Sequence, residues 1–303
     1  MNKVNIPSYL SLFSTGELKE RTLKVKEQLK NCKLCPHNCE INRYEEQGVC
    51  KAQDKAVIAN YAPHFGEEPI LVGKNGSGTI FFSYCNMSCV FCQNWDISHK
   101  GEGIQVSNNE LAQIMIKLQK SYLCHNINLV TPTHFVPQII EAVLIACENG
   151  LNIPIVYNCG GYESVDTLKM LDGIIDIYMP DFKYHSNEMG AKYSKVKNYS
   201  ESVKDSLREM DRQVGGVKLD NKNIVYQGLL IRHLMLPEGL NNTLKILRFI
   251  KNELDSDCLV NIMKQYYPAY KSTQYKELNN MLNTCEYKEA IEYARELGIK
   301  LIN

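Results

Sequence analysis

Cys85-Asn86-Met87-Ser88-Cys89-Val90-Phe91-Cys92 places three thiols within eight residues, directly after the apolar run Thr79-Ile80-Phe81-Phe82-Ser83-Tyr84. Cysteine thiolate is the soft ligand that iron-sulfur clusters require. A spacing of three then two residues lets one tight loop present three sulfurs to one cubane. Four irons need four ligands, so three local thiols leave one iron open to a small molecule. A zinc knuckle would show two Cys-x2-Cys pairs or added histidines instead.

Outward from this loop the chain alternates apolar runs with helical patterns. Leu111, Ile114, Met115 and Leu118 share one face of a helix near 109–122. A strand at 127–131, a helix at 138–148, a strand at 153–157, a helix at 164–171 and a strand at 174–179 follow. A helix at 200–213, a long strand at 225–236, a helix at 243–254 and a strand at 259–264 complete six main strands. A short edge strand at 299–302 follows a helix at 287–297. Near-continuous apolar strands between helices indicate a parallel sheet buried on both faces. The expected fold class is α/β, a partial (β/α)6 barrel over residues 56–303. No Gly-x-Gly-x-x-Gly marks a strand-to-helix turn, as a doubly wound dinucleotide-binding sheet would show.

In such a barrel the chemistry sits at the C-terminal ends of the strands. The residues there are Thr131-Pro132-Thr133-His134, Asn158-Cys159-Gly160-Gly161-Tyr162, Pro180-Asp181-Phe182-Lys183, Arg232-His233 and Gln265-Tyr266-Tyr267. An acid, two bases and several amides therefore join the three thiols at one mouth, which argues for an enzyme. Each also has a plainer reading: a rim ion pair for Asp181 and Lys183, a strand bridge for Arg232, a turn for Gly160 and Gly161. His134 and His233 read as hydrogen-bonded structural residues and stand as candidate substrate contacts only.

The N-terminal residues 1–55 form a separate Cys-rich module. Ser14-Thr15-Gly16-Glu17 reads as a capping box opening a helix to about Lys30. Cys32, Cys35, Cys39 and Cys50 follow, four thiols in nineteen residues, suited to zinc or to a second Fe-S cluster. His37 among them reads as a solvated loop residue. Over all 303 residues Lys plus Arg equals Asp plus Glu at 34 each, so charge favours neither nucleic acid nor an anionic membrane as partner. No apolar run approaches a membrane span and no leader pattern opens the chain. The twelve cysteines therefore point to metal binding in a reducing, cytoplasmic setting rather than to disulfides.

The stretch 85–92 resembles the Cys-x3-Cys-x-aromatic-Cys signature of the radical S-adenosylmethionine (SAM) superfamily, with Phe91 at the aromatic position. The resemblance implies a partial barrel, a 4Fe-4S cluster on Cys85, Cys89 and Cys92, and SAM chelated to the open iron. Reductive cleavage would give methionine and a 5'-deoxyadenosyl radical that abstracts hydrogen from a substrate. Asp181 and Lys183, two residues apart on one side of an extended segment, would suit the methionine zwitterion. Arg232 would hold its carboxylate through a fork, Asn158 would line the SAM site, and Gly160 and Gly161 would admit the adenosine close to the backbone. Over most of residues 75–265 the order of Cys92-Gln93-Asn94, Asp181-x-Lys183 and Arg232-His-x-x-x-Pro237 is similar to the activating-enzyme branch, typified by pyruvate formate-lyase activating enzyme. The four-cysteine module, Tyr157-Asn158-Cys159-Gly160-Gly161-Tyr162 and Met179-Pro180-Asp181-Phe182-Lys183 look closer to its uncharacterised homologues. That branch carries Gly-Gly-Glu after the second strand; here Thr131-Pro132-Thr133-His134 stands there, leaving Thr131 or Thr133 to take the place of the carboxylate. Its Leu-Pro-Gly is here Leu236-Pro237-Glu238-Gly239.

Three readings stay open. Hydrogen abstraction from a glycine or another residue of a partner protein would need a wide barrel mouth. A small metabolite would suit a mouth closed by the N-terminal module or by residues 184–224. A non-catalytic Fe-S or zinc binding protein, such as an electron carrier, is the third. Residues 184–224, with Lys192, Lys195, Lys197, Lys204 and Arg208, read as a solvated helix and loops rather than a nucleic-acid surface. By resemblance, a low-potential flavodoxin or ferredoxin would supply the electron.

Overall fold

In a computed structural model of the chain, residues 6–254 and 257–302 are described. Two helices come first, α1 (Tyr9–Thr15) and α2 (Glu17–Lys26), the second running on as a 3-10 turn to Leu29. The expected Ser14-x-x-Glu17 capping box does not form. Gly16 sits between the helices at φ 82° in the left-handed region, which a residue without Cβ enters at little cost, and it ends one helix while opening the next. Ser14 Oγ donates instead to the Ser11 carbonyl at 2.9 Å. This helical corner is tied to the barrel: Tyr9 Oη donates to the Ile153 carbonyl, and the Ser8 amide donates to Asp176, both at 2.8 Å.

After an irregular stretch the main elements are β1 (Ala56–His64), α3 (Pro69–Val72), β2 (Ser77–Phe82), β3 (Ile104–Val106) and α4 (Asn108–Lys120). Next come β4 (Ile127–Val130), α5 (Val136–Glu148), β5 (Ile155–Cys159), α6 (Val165–Met170) and β6 (Ile177–Pro180). The rest are α7 (Asn187–Ser194), α8 (Tyr199–Val214), β7 (Lys218–Leu219), β8 (Val225–Leu234), α9 (Leu240–Glu253), β9 (Leu259–Met263), α10 (Thr284–Glu296) and β10 (Lys300–Leu301). Spatially the strands run β10-β9-β8-β6-β5-β4-β2-β1-β3, with β7 added beside β8. From β2 to β10 the order is parallel, and among the described residues the two outer strands do not pair, so the sheet is a partial barrel. The six main strands expected from the sequence are its parallel core. The antiparallel edge made by β1 and β3 was not expected.

Side-chain alternation sets what the barrel encloses. Val156, Met179 and Leu230 face inward and pack with Leu71 of α3. Two residues further along the same strands lie Asn158, Asp181 and Arg232, so a polar layer sits directly above an apolar one. Residues 184–224 correct the expectation of a solvated segment. Lys192, Lys195 and Lys197 are exposed and Lys204 is half-buried, but Tyr193, Ser194, Tyr199, Val203, Leu207 and Met210 are buried, making α7 and α8 an amphipathic cover. Among the described residues no helix is long and apolar enough to cross a membrane.

Candidate active site

The loop between β2 and β3 has little regular structure around its thiols and is held by bonds from elsewhere. Tyr84, at φ 67°, turns the chain out of the strand. The Ser88 and Val90 amides donate to the Ser194 and Tyr193 carbonyls of α7 at 2.9 and 2.8 Å, and the Lys271 amide donates to the Val90 carbonyl at 2.9 Å. Asn86 Nδ2 donates to the Tyr162 carbonyl at 2.7 Å. His37 Nε2 lies 2.8 Å from the Asn86 carbonyl and its ring packs edge-on to Tyr162, so His37 is a contact of the N-terminal segment with this loop and not a solvated residue.

Cys85, Cys89 and Cys92 line one cleft of about 280 Å³ at the C-terminal ends of the strands. Each sulfur has a polar neighbour: the Met87 amide at 3.3 Å from Cys85 Sγ, Ser194 Oγ at 2.9 Å from Cys89 Sγ, and Ser98 Oγ at 3.1 Å from Cys92 Sγ. Burial, with Cys89 adding to it, pushes the Cys85 thiol up. Burial raises Cys89 to about 11 against the opposing charge of Lys183. Such thiols stay protonated when free and ionise on binding a metal centre. The soft donor set, its hydrogen-bond donors and the nearby ammonium fit a 4Fe-4S cluster.

Beside the thiols lies a chain of half-buried charges. Lys183 Nζ is 2.5 Å from Asp181 Oδ2, and Arg232 Nε is 3.0 Å from Asp181 Oδ1. Arg232 also donates to Asn158 Oδ1 at 2.6 Å and lies 3.4 Å from Glu67 Oε2. Burial disfavours charge on Asp181, yet Lys183 and Arg232 outweigh it and hold the carboxyl below its usual range. The same balance keeps Lys183 ionised: burial opposes the ammonium and Asp181 restores it. Arg232 is thus engaged by three partners, a positioning residue that fixes Asn158 and Asp181. Of this chain of charges, Lys183 is the cation whose field acts on Cys85 and Cys89.

The other expected residues divide by direction. Phe91 is buried at the cleft wall, edge-on to Tyr184 and Tyr266. Thr131 lines the cleft with φ 58°, and Gly160 lines it where a Cβ would come within 2.7 Å of Met87 Sδ. Gly161 serves packing: φ is 77°, and a Cβ there would meet the Asp181 carbonyl at 2.5 Å. Thr133 is fully buried and donates to Glu163 Oε1 at 2.7 Å, while Tyr157 Oη donates to Glu163 Oε2 at 3.0 Å. Burial raises this Glu163 carboxyl to about 7 despite those bonds. His134 and His233 are buried and bond the Ser83 and Phe182 carbonyls, and burial lowers them to about 3 and about 4.

The model of the radical SAM superfamily matches residues 79–219, which hold the three thiols, Asn158, Asp181 and Lys183. The chain carries a radical SAM domain. Two uncharacterised proteins of Methanocaldococcus jannaschii are similar to this radical SAM protein. One is 36% identical over 91% of this chain and 78% of its own length, the other 23% identical over 91% and 80%. Among solved structures, Streptococcus suis SuiB bound to the precursor peptide SuiA matches at TM-score 0.46 and 13% identity, over 70% of this chain and 43% of that one. Native anSMEcpe with bound AdoMet matches at TM-score 0.48 and 12% identity, over 72% and 61%. The chain therefore spans less than two thirds of either solved chain.

The radical SAM protein also carries its four N-terminal thiols close to the barrel. Cys32, Cys35 and Cys50 are buried, and Cys39 is half-buried. A Cβ at Gly48 would lie 3.5 Å from Cys50 Sγ and 3.6 Å from Cys39 Sγ, so these two sulfurs flank one small gap. Among the described residues no three His, Cys, Asp or Glu side chains converge on a single metal ion. Arg43, fully buried, anchors this segment by donating to the His134 carbonyl at 2.6 Å and to the Gln53 carbonyl. The sequence reading missed Ser194, Tyr199 and Glu67. Tyr199 Oη accepts from the Lys183 amide at 2.9 Å and lies 3.2 Å from the Gly160 and Asp181 carbonyls, joining the ends of β5 and β6. Ser194 ends α7 and Tyr199 opens α8, so no shared helical period marked them in the sequence.

Proposed function

We propose that this radical SAM enzyme binds SAM in the cysteine cleft and abstracts hydrogen from a small metabolite. A reduced 4Fe-4S cluster on Cys85, Cys89 and Cys92 would supply the electron that cleaves SAM to methionine and a 5'-deoxyadenosyl radical. Lys183 offers its ammonium to the SAM carboxylate, Asp181 faces the SAM amino group, and Arg232 keeps Asp181 and Asn158 in place. Thr131 and the Gly160 backbone line the nucleoside side. Phe91 and Met87 exclude water from the reacting atoms.

The observation that carries the small-substrate reading is the cover over the loop: α7, the residues after β9, and His37 all bond its backbone. Such bracing favours a compact substrate over an inserted polypeptide. The motif order of Asp181-x-Lys183 and Arg232-His-x-x-x-Pro237 favours a second reading, an activating enzyme acting on a glycine of a partner protein. A low-potential flavodoxin or ferredoxin is the proposed electron donor under either reading. Cys32, Cys35, Cys39 and Cys50 have the donor chemistry for zinc or a second Fe-S cluster.

The test is anaerobic reconstitution with iron and sulfide, then dithionite and SAM, with 5'-deoxyadenosine, iron and zinc measured per chain. The wild type is expected to form 5'-deoxyadenosine and Cys89→Ala is not. Cleavage retained by a cluster-free Cys89→Ala protein would overturn the assignment. Iron and zinc counts decide what the four N-terminal thiols hold.

A further inference from the structure

A second cavity, of about 520 Å³, shares Arg232, Met263 and Gln265 with the cysteine cleft. Its walls include two adjacent acids, Glu67 and Glu68, from the loop between β1 and α3. Neither acid is at the surface: Glu68 is 6% exposed, and the Glu67 side chain 9%. Glu68 Oε1 accepts from Asn261 Nδ2 at 3.0 Å, but Glu68 Oε2 is buried without a donor. Glu67 Oε2 accepts from Arg232 Nη1 at 3.4 Å, a long contact, and Arg232 divides its charge between Glu67 and Asp181 while also donating to Asn158.

Counting the charges along this line gives Lys183 and Arg232 against Asp181, Glu67 and Glu68. Two cations face three acids. Burial and the neighbouring Glu68, with which it shares a hydrogen bond, raise Glu67 to about 7. Below that value the pair shares a proton; above it a carboxylate without its own cation is costly, and a positive group in the cavity stabilises the pair. Lys264 and Arg295 also line this cavity, but both are exposed and screened by solvent. Tyr287, also on the wall, donates its hydroxyl to the Ile262 carbonyl. The buried oxygen of Glu68 that lacks a donor, next to Glu67, matches a compact cation with several donors. A volume of this size suits a small metabolite.

We propose that Glu67 and Glu68 receive the ammonium group of a small amine substrate, which reaches the cysteine cleft past Arg232 and Met263. The assignment of this amine as substrate rests on the radical SAM reading of the adjoining cleft; the cation site itself is tested without it. Full-length reconstituted protein, without SAM or reductant, is titrated at pH 8 with n-butylammonium and with the neutral isostere n-butanol, followed by ligand-observed NMR. The expected result is at least tenfold tighter binding of butylammonium, lost in Glu68→Gln, whose amide keeps an oxygen for Asn261. Equal binding of the two probes by the wild type would overturn the proposal, whether or not the variant folds. So would an intact preference in folded Glu68→Gln. A failure here leaves SAM cleavage untouched, and a failure of SAM cleavage leaves this binding result standing.

Discussion

Glu163 offers a quantitative handle on how the barrel supports its site. Its carboxyl is fully buried between Thr133 and Tyr157, and burial raises it from its ordinary 4.5 to about 7. Because the folded value lies above the unfolded one, the native state holds the proton more tightly. The associated stability is complete below the unfolded value and is lost as pH rises through the folded one. A shift of this size, at 1.36 kcal/mol per pH unit, corresponds to roughly 3 kcal/mol. Glu163→Gln has no proton to lose. It forfeits one acceptor facing Thr133 or Tyr157, a cost that does not vary with pH. Urea unfolding of wild type and variant at pH 4.5, 6, 7 and 8 should show the variant gaining on the wild type by about 3 kcal/mol across the series. Glu67 and Asp176 are also raised by burial, to about 7 and about 6, but they titrate in both proteins and cancel in the difference. A difference that stays flat with pH would refute the reasoning.

Two further outcomes follow from the site's packing. Gly161→Ala places a Cβ at left-handed φ against the Asp181 carbonyl; the conformation alone costs about 1–2 kcal/mol, so Tm should fall by at least about 2 °C and SAM should bind more weakly. An unchanged Tm would show that the turn relaxes freely. Ser194→Ala removes the hydroxyl beside Cys89 Sγ. A redox titration followed by electron paramagnetic resonance should find a lower cluster potential at unchanged iron content, because a donor to a ligand sulfur favours the reduced state; an unmoved potential would refute that role.

What the sequence made legible follows from how local each signal is. Cys85, Cys89 and Cys92 declare themselves because all three ligands fall within one loop. β2, β4, β5 and β6 are readable because burial on both faces leaves short, largely apolar runs, and β8 and β9 because their apolar residues still cluster although some positions are only part-buried. β1 is only part-buried beyond Ile58 and so has no such run. At Ser14 the cap chemistry was right in form, but the left-handed Gly16 two residues on decided the geometry. Thr131 and Thr133 are indistinguishable in sequence; the positive φ of Thr131 turns one toward the cleft and the other toward Glu163. Glu67, Ser194 and Tyr199 reach the site from distant segments, so only the assembled fold reveals them.

The bonds that hold the cysteine loop carry a consequence for how the protein is made. The three thiols are neighbours in the chain, yet the Lys271 amide that braces Val90 is synthesised about 180 residues after Cys92. At ~5–20 residues per second that is roughly 10 to 35 seconds. Throughout that interval the nascent thiols lack their finished enclosure and stand open to oxygen and to stray metal. Cluster delivery is then best timed to the end of translation, and growth under air should lower cluster occupancy before it lowers the yield of folded chain.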